Sequence, residues 1–238
     1  MNPERNRTVL SAPIYQALKE RIMDRRVAPS ARLNIDALAL ELKVSQTPLR
    51  EALTRLATER LVIFEPFKGY SVTPLLSSRR FSELMEVRRA LEGTAIQQAV
   101  VRVNPKDLHH MKNLISTMQQ SVPGPEFRTY QAFNRLDQQF HELIFQIADN
   151  LTLLETYQSL NTHVQLARLD LTGHEIAADE SHHEHTTILE TLKHRDPVAA
   201  NTAMQQHLNS VEVRLGLQLD YLISQHNIGS PPERDLRL

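Results

Sequence analysis

Apolar positions recur at helical spacing along most of the chain. In residues 12–25, APIYQALKERIMDR, the residues Ile14, Leu18 and Ile22 step by four, which predicts an amphipathic helix. Pro29 in the VAPSAR loop ends it. A second, short helix is expected over 35–42, IDALALEL, and a tight KVS turn leads into a third over 46–59. On that third helix Leu49, Ala52, Leu53, Leu56 and Ala57 form one apolar face, while Arg50 and Thr54 lie off it, one turn apart, and look outward. The helical period then stops. LVIFEPFKGYSV reads as two β-rich runs around a Lys68-Gly69 tip, a small hairpin in which Pro66 fits only an edge or the turn.

From residue 80 onward helix follows helix, near 79–102, 105–120, 127–149, 151–170, 176–194 and 197–224. Breaks fall at Asn104-Pro105, SVPGPE, Asp149-Asn150, TGHE and Asp196-Pro197. The polar end, residues 226–238, reads as a disordered tail. The expected fold class is mostly α. Residues 1–75 would form a winged helix-turn-helix with a small β-hairpin wing, and residues 76–225 an all-α helical bundle.

The third helix begins with Ser45-Gln46-Thr47-Pro48. Proline is tolerated in the first turn, where its missing N–H has no helical partner, and Ser45 or Thr47 can cap the free N–H groups. One capped helix says little. Three helices followed by a hairpin, with a polar-tipped third helix, are the layout of a winged helix-turn-helix, whose third helix enters the DNA major groove tip first.

Composition narrows the classes. The chain has 238 residues, 41% hydrophobic, with 6 Gly and no Trp, which excludes wholesale disorder and a turn-rich all-β protein. Without cysteine there is no disulfide framework and no thiolate metal site. Neither a signal peptide nor a membrane span is expected, and a cytoplasmic location fits. The net charge of −1 conceals an asymmetry: residues 1–75 hold 12 Lys+Arg against 8 Asp+Glu, and the remainder holds 15 against 20. A basic front and an acidic back point to two jobs.

Polar residues interrupt the apolar stripes of the back part. Phe81, Leu84, Arg88, Leu91 and Ala95 step by three and four, so Arg88 sits on a buried stripe and needs a partner, a ligand or an escape to the surface. Asp137 and His141 share a face beside Phe133, Phe140 and Ile144. His185 heads a stripe with Ile188, Leu189 and Leu192, and His207 follows Ala200, Ala203 and Met204. One carboxylate and three imidazoles on inward faces suit a divalent metal such as zinc, nickel, manganese or iron. Taken one at a time, each of these histidines is better explained as a hydrogen-bonded core residue than as a metal ligand. His109, His110, His182, His183, His194 and His226 read as solvated, and His163 and His174 are undecided. A metalloenzyme using the Asp/His set to activate water, or a helical scaffold with core histidines, remains compatible with these residues.

The run LALELKVSQTPLREALTRLATERLV with the later GYSV resembles the DNA-binding domain of GntR-family bacterial transcription regulators. The resemblance covers roughly residues 12–73 and implies DNA contacts from Ser45, Gln46, Thr47 and Arg50, from Lys68 and Gly69 in the wing, and from Arg32 to a phosphate. The family's usual Arg in VSRTP is Gln46 here, and its usual Gly before Val is Lys43; Arg reads guanine bidentately whereas Gln suits adenine. Residues 80–222 are similar to the FCD ligand-binding domain, through Arg88-Arg89-Ala90-Leu91-Glu92, the DQQFH run from Asp137 to His141, Glu184-His185 with Ile188-Leu189, and Ala203-Met204 with His207-Leu208. That similarity implies a metal on Asp137, His141, His185 and His207, zinc foremost, and a small organic acid effector met by Arg88. It further implies a homodimeric regulator on a palindromic double-stranded operator, with repression as the default sign.

Overall fold

The computed structural model describes residues 3–121, 127–167 and 174–225, so the expected tail at 226–238 lies outside the described residues. The chain divides after Leu75 into two compact units. The first contains α1 (Pro3–Met23), β1 (Arg32–Leu33), α2 (Ile35–Leu42), α3 (Gln46–Thr58), β2 (Val62–Glu65) and β3 (Gly69–Val72). The second contains α4 (Ser78–Arg102), α5 (Pro105–Gln120), α6 (Phe127–Ala148), α7 (Leu151–Ala167), α8 (His174–His194) and α9 (Pro197–Gln225). The architecture is the expected one: a winged helix-turn-helix and an all-helical bundle.

Three local differences have physical reasons. α1 begins at Pro3 rather than near residue 12, because a four-residue apolar step shows where a helical face can be recognised and does not mark where the helix starts. Ser45 does occupy the N-cap of α3 but makes no side-chain cap bond, and Pro48 is the third helical residue, still within the turn whose N–H groups lack helical partners. The wing is not a lone hairpin. β1 adds to it, giving an antiparallel sheet ordered β1-β3-β2 with Arg32 opposite Ser71 and Leu33 opposite Tyr70. A two-residue strand has no alternation to read in sequence, and Leu33 contributes by being buried.

α1 packs on α3 through Leu18 and Ile22 against Leu49, Leu53 and Leu56, all almost fully buried. A polar clasp fixes their angle. Tyr15 Oη donates to Glu59 Oε1 at 2.6 Å, Lys19 Nζ donates to Glu59 Oε2 at 2.8 Å, and the Arg55 guanidinium lies 3.9 Å from the centre of the Tyr15 ring. Burial raises the Glu59 pKa, but the bonds from Lys19 and Tyr15 win and hold it below its ordinary value.

The wing turn contains an unusual residue. Phe67 has φ 66° and its side chain is fully exposed. A left-handed conformation costs a residue with a Cβ about 1–2 kcal/mol, whereas glycine adopts it freely and loses only about 0.5–1 kcal/mol in chain entropy. Phe67→Gly is therefore expected to raise stability by up to about 1 kcal/mol, measured by thermal unfolding. Gly69, at φ 82°, already uses this freedom, and no atom would crowd a Cβ there.

In the second unit α4 packs on α6 and α9, α5 on α6 and α8, and α8 on α9. Ile96, Ala99, Met111, Phe140, Ile188, Leu192, Met204 and Leu208 are completely buried between them. The breaks read from sequence are built as caps. Asn104 accepts from the Lys106 and Asp107 backbone N–H groups, and Asp107 returns a bond to the Asn104 N–H, a capping box with Pro105 at the first helical position. Arg195, just past α8, donates from Nη2 to the Val103 carbonyl at 2.7 Å and so closes the C-terminal end of α4.

Candidate functional site

Two sites emerge, one in each unit. In the first, the exposed tip of α3 presents Ser45, Gln46, Thr47 and Arg50, all solvent-accessible, over a core of Pro48, Leu49, Ala52 and Leu53. Gln46 links its neighbours. Its Nε2 donates to Asp36 Oδ1 on α2 at 2.6 Å, and its Oε1 accepts from Arg50 Nη2 at 3.5 Å. The Asp36–Gln46–Arg50 chain thus orders the two longest side chains of the tip before any partner arrives. Beyond the tip, Thr47, Arg50, Glu51, Thr54 and Arg55 line an open hollow of about 710 Å³ on the outward face of α3. Arg32 is exposed on β1, and Lys68 is exposed at the wing, where its Nζ donates to Glu65 Oε2 at 2.6 Å.

In the second unit Asp137 and His141 of α6, His185 of α8 and His207 of α9 converge, each at most 3% exposed. The ligand atoms of the three histidines lie within 4.8 Å of one another. His141 Nε2 stands 3.3 Å from His207 Nε2, and Asp137 Oδ1 stands 3.4 Å from His185 Nε2 and 3.9 Å from His141 Nε2. Metal–nitrogen bonds of ~2.0–2.1 Å span such gaps around one ion.

The outer nitrogens are braced. His141 Nδ1 lies 2.6 Å from Glu92 Oε2, His207 Nδ1 lies 2.7 Å from Glu184 Oε2, and His185 Nδ1 lies 3.5 Å from Ser181 Oγ. A neutral imidazole that donates from Nδ1 keeps its Nε2 lone pair for the centre, and carboxylates behind ligating histidines fix that tautomer. Burial, with help from the neighbouring His141, pushes the His207 pKa down against the pull of Glu184, which favours the neutral ring a metal needs. The braces are held in turn: Arg88 Nε donates to Glu92 Oε1 at 2.8 Å, and Arg214 donates to both oxygens of Glu184 at 2.7 and 2.9 Å. Burial would raise Glu92, but Arg88 and the histidines bring its pKa to about 2. Glu184 reaches about 2 as well, with burial opposed chiefly by Arg214. The donor set and its orientation fit a divalent metal.

The apolar spacing puts Arg88 on a buried stripe, and it is buried, with Glu92 one turn along as its ion-pair partner. Leu91, assigned to that stripe, is only half-buried, and Glu92 takes the inward position. The Arg-x-x-x-Glu spacing was the available signal, since residues four apart share a helix face. Nothing local in the sequence marks Glu184, Ser181 and Arg214 as braces, since their partners lie on another helix or one turn away. Among the histidines read as solvated, His109, His110, His183 and His194 are exposed, but His182 is half-buried with its Nδ1 enclosed, because it stands beside Ser181 on the inward edge of α8. His226 and the side chains of His163 and His174 lie outside the described residues.

Comparison with known proteins decides the class. The bacterial regulatory protein gntR family matches residues 10–72, and the FCD domain family matches residues 83–210. The chain belongs to the GntR family, in its FCD branch. The Nta operon transcriptional regulator of Aminobacter aminovorans is 30% identical over 77% of this chain and 85% of its own length. The HTH-type transcriptional repressor RspR of Escherichia coli K12 is 26% identical over 83% of this chain and 85% of its own. Among solved structures, E. coli McbR/YncC superposes with a TM-score of 0.67 at 24% identity, covering 88% of this chain and 98% of that one, a likeness of fold.

This GntR-family chain is thus a DNA-binding transcription regulator, and the metalloenzyme reading gives way: the matched families and relatives are regulators. Among the described residues, no helix is long and apolar enough to cross a membrane. If Arg50 reads a base or a buried phosphate, Arg50→Ala should weaken specific DNA binding by about 1–3 kcal/mol. Fluorescence anisotropy on a duplex selected by the protein from a random pool reads this. Unchanged affinity would remove Arg50 from the reading surface.

Proposed function

We propose that this regulator is a cytoplasmic homodimeric repressor whose helical domain senses a small organic acid at a metal centre. Ser45, Gln46, Thr47 and Arg50 read the major groove, Lys68 and Gly69 meet DNA from the wing, and Arg32 holds a phosphate. A two-fold dimer matches a palindromic operator, one half-site per head. Asp137, His141, His185 and His207 hold a divalent ion, zinc foremost, with nickel, manganese or iron as alternatives. A bound ion would supply Lewis acidity toward a carboxylate oxygen. Arg88 pairs with the acid's charge, its guanidinium plane fixed by the bond from Nε to Glu92.

The observation that supports this reading best is the convergence of three Nε2 atoms and one Asp137 oxygen with the Nδ1 atoms braced from behind. A fold needing only core histidines has no use for that common orientation. The test is elemental analysis of protein purified without a histidine tag. About one divalent ion per chain is expected. A metal-free protein that no added metal stabilises would overturn the metal part of the proposal.

A further inference from the structure

Two Arg–Glu–His relays flank the centre, and they differ in kind. Arg88, Glu92 and His141 form one whose arginine and glutamate lie on a single helix, both side chains 1% exposed. Arg214, Glu184 and His207 form the other. Here α9 contributes both the arginine and the histidine, while α8 contributes the carboxylate between them. The Arg214 and Glu184 side chains are 19% and 18% exposed, so this relay reaches the surface. Arg214 also donates to Glu180 Oε2 at 3.1 Å, one turn before Glu184 on α8.

We infer that Arg214 is a positioning residue for the metal centre: it grips Glu184 with two parallel hydrogen bonds so that Glu184 holds His207 in the metal-binding tautomer and orientation. The inference rests on the metal reading above and extends it to residues outside the ligand set. The geometry is that of a fork. Nη1 and Nη2 take one carboxylate oxygen each, an arrangement that fixes the carboxylate plane as well as its distance. With the plane fixed, Oε2 is presented to His207 Nδ1 at 2.7 Å, and the Nε2 of the same ring points to His141. Without Arg214 the carboxylate, already partly exposed, turns toward water, and the ring loses the partner that selects its tautomer. Arg214 stands seven residues after His207, two turns along the same face of α9, so the clasp also sets the register of α8 against α9. Two of the three histidine ligands come from those helices.

The experiment measures zinc affinity by competition with a chromophoric chelator, using the full chain after removal of bound metal. Arg214→Met should weaken zinc binding 10- to 100-fold, the effect expected when an outer partner of a ligating histidine is lost. Arg214→Lys, which keeps the charge but loses the fork, should fall between Met and wild type. Glu184→Gln keeps an acceptor for Nδ1 and should also be intermediate. Circular dichroism and thermal unfolding of the metal-free variants separate folding from positioning. A merely structural pair would lower the metal-free melting temperature and leave the zinc affinity of the folded variant alone. Arg214→Met and Glu184→Gln both binding zinc within twofold of wild type would overturn the inference. Wild-type protein that takes up none of zinc, nickel, manganese or iron would overturn the metal reading itself, and the inference with it.

Discussion

Glu92→Ala should destabilise the helical domain by about 3–5 kcal/mol, the range for removing one partner of a buried ion pair. Arg88 and Glu92 are each 1% exposed, so neither can recover its hydration when the other is lost. The substitution leaves the Arg88 charge in the core and strips His141 of the carboxylate 2.6 Å from its Nδ1. For a chain of this size the loss corresponds to a fall in melting temperature of roughly 6–20 °C. Replacing both partners, Arg88→Met with Glu92→Leu, should be far milder than either single change, since no charge is then stranded. A double-mutant cycle by denaturant unfolding makes the comparison, because directly bonded residues are those whose effects fail to add. A single variant within about 1 kcal/mol of wild type would show that the pair is hydrated and the site open.

The second large effect is expected from the ligands. His141→Ala combined with His207→Ala should abolish bound metal and the stabilisation that metal confers. Free metal at 100 times its dissociation constant adds about 2.7 kcal/mol to wild-type stability, and none of this should appear in the variant. Elemental analysis and thermal unfolding with and without added zinc give both readouts. A fully metallated double variant would discard the ligand set. Because His141 and His207 come from different helices, α6 and α9, their joint loss also removes the cross-link that an ion would make between those helices.

How far the sequence reached differs between the two units, for physical reasons. The bundle helices could be bounded to within a few residues because their ends are written in local chemistry: Asn104-Pro105, Asp149-Asn150 and Asp196-Pro197 are cap and breaker signals acting over three or four residues. β1 could not be read, since two residues have no period and Arg32-Leu33 pairs with Ser71-Tyr70 far along the chain. The inward faces holding Asp137, His141, His185 and His207 followed from helical spacing. The selection of three of the eleven histidines did not; it came from the resemblance of ordered motifs, and the structure brings those three together with Asp137. The braces escaped notice because their roles depend on distances between helices. Glu184 looks like an ordinary helix-surface acid until Arg214 and His207 of α9 are placed against it. Glu92 was hidden by Leu91, which continued the apolar step equally well on paper and points only half inward.

We propose that a small acid at the metal centre changes DNA affinity. The most direct measurement is fluorescence anisotropy of a labelled operator duplex bound by metal-loaded protein, titrated with a panel of small carboxylates and sugar acids. At least one acid is expected to change operator affinity by about 5- to 150-fold, a coupling of about 1–3 kcal/mol, and chelating the metal should abolish the change. An operator affinity that stays constant across the panel, or an acid whose effect survives complete removal of the metal, would contradict the proposal.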